Sequence, residues 1–329
     1  MVPIPVLANM TTRILVGASV ISLTIAGIRK YCKGGKCSSR ETLDGKVVII
    51  TGANTGIGRE TAADLAKRGC KLIIACRNLD KAKDAAHYIK FCSGIDESKL
   101  VVKHLDLNSL KSVRSFADGI IKEEPKIDIL INNAGIMLTP YGKTEDGFEQ
   151  QLGVNHLGHF LLTNLLLDKL KAAPSARVVV VSSRAHERGT INFDDLMSEK
   201  GYSSRAAYAQ SKLANVLFAR ELAKKLKGTS VTTYSLHPGV INTELTRHVT
   251  AINIPGLRQI WLLLTWPFFK NATEGAQTTL YCAVEPSIEK DSGKYYSDCQ
   301  EKCPSHQALD DQVADKLWRI SEKLVGLAK

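Results

Sequence analysis

The sequence predicts an α/β fold with a doubly wound parallel sheet, built as a single domain. Apolar β-rich runs alternate with helical stretches from about residue 46 onward. The runs are continuous rather than alternating, as in parallel strands covered on both faces. A glycine-rich turn follows the first run and opens the first helix. With 329 residues, 44% hydrophobic and 23% charged, the chain has material for one large core.

The chain begins with an apolar stretch. Residues 14–28, "ILVGASVISLTIAGI", carry no charge, and "RKYCKGGKC" follows at once. A secretory signal has the opposite order, with its positive charge ahead of the apolar run. Residues 1–30 therefore read as a hydrophobic membrane anchor, and the basic flank places the domain on the cytoplasmic side. The run is short for a full span, so a tilted span and an interfacial anchor both stay open. Residues 31–45 read as a basic linker, and the domain occupies 46–329.

The net charge is +11, of which residues 1–46 hold +5. No basic run is interleaved with aromatic residues, which excludes the nucleic-acid-binding classes. An anionic cofactor or a membrane surface accounts for the excess. The eight cysteines are irregularly spaced. Cys32/Cys37 and Cys299/Cys303 are close pairs without zinc spacing, so no metal is expected and the thiols read as free, in a reducing compartment.

The expected strands are "KVVIIT", "KLIIAC", "LVVKHL", "IDILINN", "ARVVVVSS" and "SVTTYSLHPG". Helical stretches such as "GRETAADLAKRG", "SLKSVRSFADGIIKEE" and "FLLTNLLLDKLKAA" separate them. After the first strand, "TGANTGIG" carries Gly52, Gly56 and Gly58. Glycines there permit a tight turn and close approach to a pyrophosphate, which the helix amides then meet. Asn54, Thr55 and Ile57 complete this nucleotide-binding turn of a Rossmann-type fold. After the second strand comes "CRN" rather than an acid. An acid would accept from the ribose hydroxyl of NAD, whereas Arg77 suits the 2′-phosphate of NADP(H). Asp106, after the third strand, is placed to accept from the adenine amino group. Asn133, after the fourth strand, is expected to touch the cofactor, as are Pro238 and Gly239 after the sixth.

"YAQSK" sets Tyr208 and Lys212 one helical turn apart, so both lie on one face. A phenol that shuttles a proton to a developing alkoxide needs a neighbouring cation to reach its anionic form near neutral pH. Ser183, after the fifth strand, can donate to a substrate carbonyl oxygen. His156 and His159 flank Asn155 and read as structural.

Taken in order, "TGANTGIG", "NNAG", Asn155, Ser183, "YAQSK" and "HPG" resemble the short-chain dehydrogenase/reductase family over about residues 46–300. "TEDGFEQQLGVNHLGHFLLTNLLLDKLK" and "YAQSKLANVLFARELAKKL" resemble its membrane-anchored, NADP(H)-dependent retinol dehydrogenases. The resemblance implies that Tyr208 is the general acid/base and that Lys212 and Ser183 assist it; Tyr208 and Lys212 are also expected to touch the cofactor, Lys212 at the nicotinamide ribose. It implies that Asn155 holds a relay water, and that Ser183 rather than Ser182 meets the substrate. The implied reaction is the interconversion of a lipophilic alcohol and its aldehyde, all-trans-retinal to retinol above all. A steroid or lipid-aldehyde reductase and a non-catalytic nucleotide-binding scaffold are the alternatives. The expected membrane is the endoplasmic reticulum, with the mitochondrial inner membrane as the alternative, and a homodimer is among the expected partners.

The residues that select the substrate are expected elsewhere. "LRQIWLLLTWPFFKN" is strongly apolar, with Trp261, Trp266, Phe268 and Phe269. Residues 243–280 read as a substrate lid, and Thr243 is placed to reach the nicotinamide. The polar stretch between Ser183 and Tyr208 reads as another wall.

Overall fold

The computed structural model describes residues 19, 22–241 and 268–328. Its centre is an eight-stranded sheet in the order β3-β2-β1-β4-β5-β6-β7-β8. The strands are β1 (Val47–Thr51), β2 (Lys71–Cys76), β3 (Leu100–His104), β4 (Ile129–Asn132), β5 (Ala176–Val181), β6 (Val231–His237), β7 (Tyr295–Ser297) and β8 (Gln300–Glu301). All pairings from β3 to β7 are parallel, and β8 closes the edge antiparallel to β7. Strand order reverses between β1 and β4, and ligands of such sheets bind outside the carboxyl ends at that switch point.

Alternate residues of each strand feed two cores, the reason the runs are continuously apolar. Val48 and Ile50 pack with Ala62 and Leu65 of helix α1 (Gly56–Lys67) and Ile89 of α2 (Leu79–Ser93). Ile49 and Leu130 point the other way, toward Phe116 of α3 (Leu110–Glu123). That second core includes Phe160 of α4, a helix assembled from Gln150–Leu152, a π-helical turn Gly153–Leu157, and Gly158–Leu165. A short helix α5 (Leu167–Lys171) follows. Phe218 of α6 (Ser204–Lys225) joins the second core, while α7 (Ala272–Val284) sends Ala276 and Leu280 into the first. The last helix, α8 (Asp311–Leu324), places Trp318 against Phe160 and Phe218.

Two features lie outside the six expected strands. The β7–β8 hairpin turns on Asp298 and Cys299, both left-handed with φ of 54° and 56°. A two-residue loop with both centres left-handed matches the twist of the strands, but it ordinarily uses Asn or Gly. The second is the N-terminal segment. Residues 22–33 are helical, and the chain after them lies against the domain. The Cys37 amide donates to Gln277 Oε1 at 3.1 Å, the Leu43 amide donates to the Arg68 carbonyl at 2.7 Å, and both side chains are buried. Part of the apolar run 14–28 and residues 242–267, with Thr243, Trp261, Trp266 and much of the expected lid, lie outside the described residues. Among the described residues, no helix is long and apolar enough to cross a membrane. All eight cysteines are free thiols, with Cys70, Cys76 and Cys282 deep in the core.

Candidate active site

The turn after β1 is shaped by what will not fit in it. Gly52 has φ +69°, and a Cβ on it would stand 2.8 Å from the Ala134 Cα. A Cβ on Gly58 would meet the Gly52 carbonyl oxygen at 2.4 Å and Asn133 Nδ2 at 2.5 Å. Only glycine permits such backbone approach. Helix α1 begins at Gly56, and its N-cap Thr55 makes no side-chain cap bond, which leaves first-turn amides open to an anion.

These residues line a cleft of about 340 Å³ with Asn54, Thr55, Ile57, Arg77, Asp106, Asn133 and Gly135. Arg77 is exposed. Asn133 is more occupied than expected. Its side-chain amide donates to the carbonyls of Thr51 and Gly52, at 2.8 and 3.3 Å, so it braces the glycine turn as well as lining the cleft. The Asp106 carboxylate accepts from the Asn108 amide at 2.9 Å and borders the cleft. Arg59 turns away, lying over the Tyr88 ring at 3.9 Å and pairing with Glu60.

A second cleft, of about 1030 Å³, adjoins the first. Ser183, Tyr208, Lys212, Pro238 and Gly239 line it beside apolar Ile136, Met137, Leu138, Val240 and Phe269. Tyr208 and Lys212 are nearly inaccessible, at 7% and 3%. Burial pushes the Tyr208 phenol up to about 12, with the Ser183 hydroxyl pulling the other way. Burial also lowers Lys212, to about 8. The neighbouring cation expected to favour the phenolate is in place, and burial acts against it. The ammonium is 5.8 Å from the ring centroid and donates to the Val181 carbonyl at 3.2 Å, and desolvation is the larger effect.

The serine pair is sorted by geometry. Ser182 donates its hydroxyl to the Lys212 carbonyl at 2.6 Å and so ties β5 to α6. Ser183 keeps its hydroxyl at the cleft, accepting from the Ala185 amide at 3.1 Å. Behind it, His186 Nδ1 donates to the Ser183 carbonyl at 2.7 Å and fixes the strand end.

Asn155 sits in the π turn of α4, a rare bulge that occurs often at functional sites. Its amide donates to Ser211 Oγ at 2.9 Å and to the Ile136 carbonyl at 3.0 Å, while Oδ1 accepts from the Ile136 amide at 2.8 Å. A Cβ on Gly135 would come within 3.2 Å of Asn155 Oδ1 and 3.4 Å of Lys212 Nζ. The amide, the ammonium and the bare Gly135 backbone therefore border one small space.

The order of elements, the glycine turn and this cluster coincide with a known family: residues 46–253 match that of short chain dehydrogenases. The chain belongs to it. Retinol dehydrogenase 12 of Homo sapiens is 52% identical over 309 residues, covering 94% of this chain and 95% of that protein. Retinol dehydrogenase 14 of Mus musculus is 52% identical over 296 residues, 87% and 88% of the two chains. A solved structure from Mycobacterium paratuberculosis superposes with a TM-score of 0.70 at 38% identity, over 89% of this chain and 98% of that one. This dehydrogenase is thus an oxidoreductase that uses a nicotinamide cofactor. The glycine cradle fits that group, because the first turn of α1 lines the cleft and has no side-chain cap on its amides.

Sequence reasoning passed over several residues that build the site. Thr51 accepts from the Asn133 and Ala134 amides, both at 3.0 Å, and holds the "NNAG" segment against β1. Lys270 backs the wall at Gly239. Thr51 had a visible signal, as the last residue of a strand before a glycine turn. Lys270 had none, for its partners are distant in the chain.

Proposed function

We propose that this dehydrogenase is an NADP(H)-dependent retinoid oxidoreductase that reduces a retinal-type aldehyde to its alcohol. One observation carries the reading: the larger apolar cleft that Tyr208 lines shares Ile57, Asn133, Gly135 and Ile136 with the glycine-lined cleft that Arg77 lines. The names of its relatives point to the same substrate class. Arg77, with no acid beside it, favours a 2′-phosphate on the cofactor. The bound nicotinamide supplies the hydride. The protein's part is to orient the carbonyl with the Ser183 hydroxyl and to deliver a proton from Tyr208. The neutral Tyr208 phenol is the proton donor that reduction requires. Lys212 and Asn155 border the space from which the phenol would be reprotonated.

The apolar N-terminal run supports a membrane-anchored enzyme whose domain faces the cytosol, with the endoplasmic reticulum as the proposed membrane. Deletion of residues 1–21 is expected to release the protein from sedimented membranes. Activity is tested by NADPH oxidation with the full chain in detergent micelles. The panel holds all-trans-retinal, 9-cis-retinal, steroid ketones and medium-chain aldehydes. Highest kcat/KM on a retinal supports the reading, and a higher value on a steroid ketone replaces it with steroid reduction.

A further inference from the structure

The segment between the N-terminal apolar run and the domain is seated at several points, two of them beside the apolar cleft. Arg29 donates to the Glu274 carboxylate at 2.6 Å and to the Phe269 carbonyl at 3.3 Å. Glu274 is fixed in turn, since it closes a capping box with Asn271 at the start of α7. Phe269 lines the cleft.

The second point is Gly34 and Gly35, which cross the tip of the β7–β8 hairpin. A Cβ on Gly34 would stand 2.0 Å from Asp298 Oδ1 and 2.6 Å from Lys270 Nζ, and one on Gly35 would stand 1.9 Å from the Asp298 carbonyl oxygen. At Gly35 the obstacle is hairpin backbone, so no other residue type fits there without moving the hairpin, while Gly34 has φ +68° and faces the Asp298–Lys270 pair. Asp298 pairs with Lys270 at 2.5 Å. Lys270 is only 5% exposed, and the Asp298 carboxylate is its ion-pair partner. Its stem lies where a Cβ on Gly239 would be, 2.6 Å from the Lys270 Cδ, and its amide donates to the Val240 carbonyl at 2.9 Å. Gly239 and Val240 both line the cleft.

The contacts thus run without a gap from strap to hairpin tip, from hairpin tip to Lys270, and from Lys270 to the cleft wall. We propose that Gly34, Gly35 and Lys270 are specificity-determining residues. The strap holds Asp298 against Lys270, and Lys270 sets the Pro238–Ile241 wall on which the apolar body of the substrate rests. The segment that joins the anchor to the domain is then part of the substrate site. This rests on reading the larger cleft as the substrate site.

The test compares full-length wild type with Gly35→Val and Arg29→Gln in detergent micelles. Steady-state kinetics on all-trans-retinal and on propanal, NADPH binding by fluorescence, and hydrogen exchange at 34–43 and 238–241 are measured. Gly35→Val is expected to raise KM for retinal about 10-fold or more, the scale of a lost apolar wall contact, with kcat and NADPH affinity unchanged. Propanal, too small to reach the wall, is expected to show no change. Exchange should rise at both segments together. Arg29→Gln removes one ion pair and is expected to show the same split in smaller measure, which serves if Gly35→Val does not fold. Increased exchange at 34–43 with an unchanged retinal KM overturns the proposal, as does an equal loss of retinal and NADPH affinity. If wild type turns over no retinal, the functional reading fails by itself. Joint exchange at the two segments then supports the strap-to-wall coupling, and exchange confined to 34–43 overturns it.

Discussion

The Thr51 hydroxyl and the His159 imidazole lie 2.9 Å apart in the buried layer beneath the glycine turn. The other ring nitrogen, Nδ1, is 3.1 Å from the Asn155 carbonyl. A carbonyl only accepts, so Nδ1 carries the proton and Nε2 accepts from Thr51. The ring therefore joins the end of β1 to the π turn. It stays neutral, since burial lowers its pKa to about 4. His159→Phe is expected to take the imidazole acceptor from the buried Thr51 hydroxyl, at a cost of roughly 1–3 kcal/mol. Urea denaturation measures that loss. The accompanying fall in kcat, with NADPH affinity little changed, would show that the bond serves the position of Asn155.

Tyr208→Phe should lower turnover by about 10²–10⁴-fold, the usual worth of a general acid. NADPH binding should stay near normal, because the phenol does not belong to the glycine cradle. Single-turnover rates and a fluorescence titration separate the two, and wild-type turnover would sink the mechanism.

Arg77→Asp puts an acid in place of an exposed cation that lines the smaller cleft. Loss of a charge-assisted contact of about 1.5–3 kcal/mol should shift the NADPH-to-NADH preference by roughly 10–100-fold. The ratio of the two kcat/KM values is the readout.

Stability should fall in acid because of buried imidazoles. Burial lowers His156 to about 3, and His159 and His237 to about 4, the last with help from Lys270 and Arg184. The unfolded chain takes up these protons near pH 6.5, while the folded one refuses them until well below. Stability from this source is therefore complete above about pH 6.5 and is lost as pH falls toward 4. Each group contributes up to about 1.4 kcal/mol per pH unit. Urea midpoints at pH 7, 6 and 5 should descend, and His156→Phe should make the descent shallower.

The central sheet was legible because parallel strands buried on both faces leave an unbroken apolar signature. The β7–β8 hairpin was not. Its strands are three and two residues long, and its turn carries Asp298 and Cys299 where glycine would announce it. Tyr208 and Lys212 were legible from their spacing. The direction in which the phenol shifts was not, since it depends on how deeply the finished fold buries the pair. The Thr51–His159 bond spans 108 residues, and the Arg29–Glu274 pair spans 245. No local pattern encodes separations of that kind, so the strap read as a plain basic linker.

Ile57, Asn133, Gly135 and Ile136 border both clefts. The two ligands therefore share a partition, so a molecule bound along the glycine turn is expected to alter the wall that the larger cleft presents.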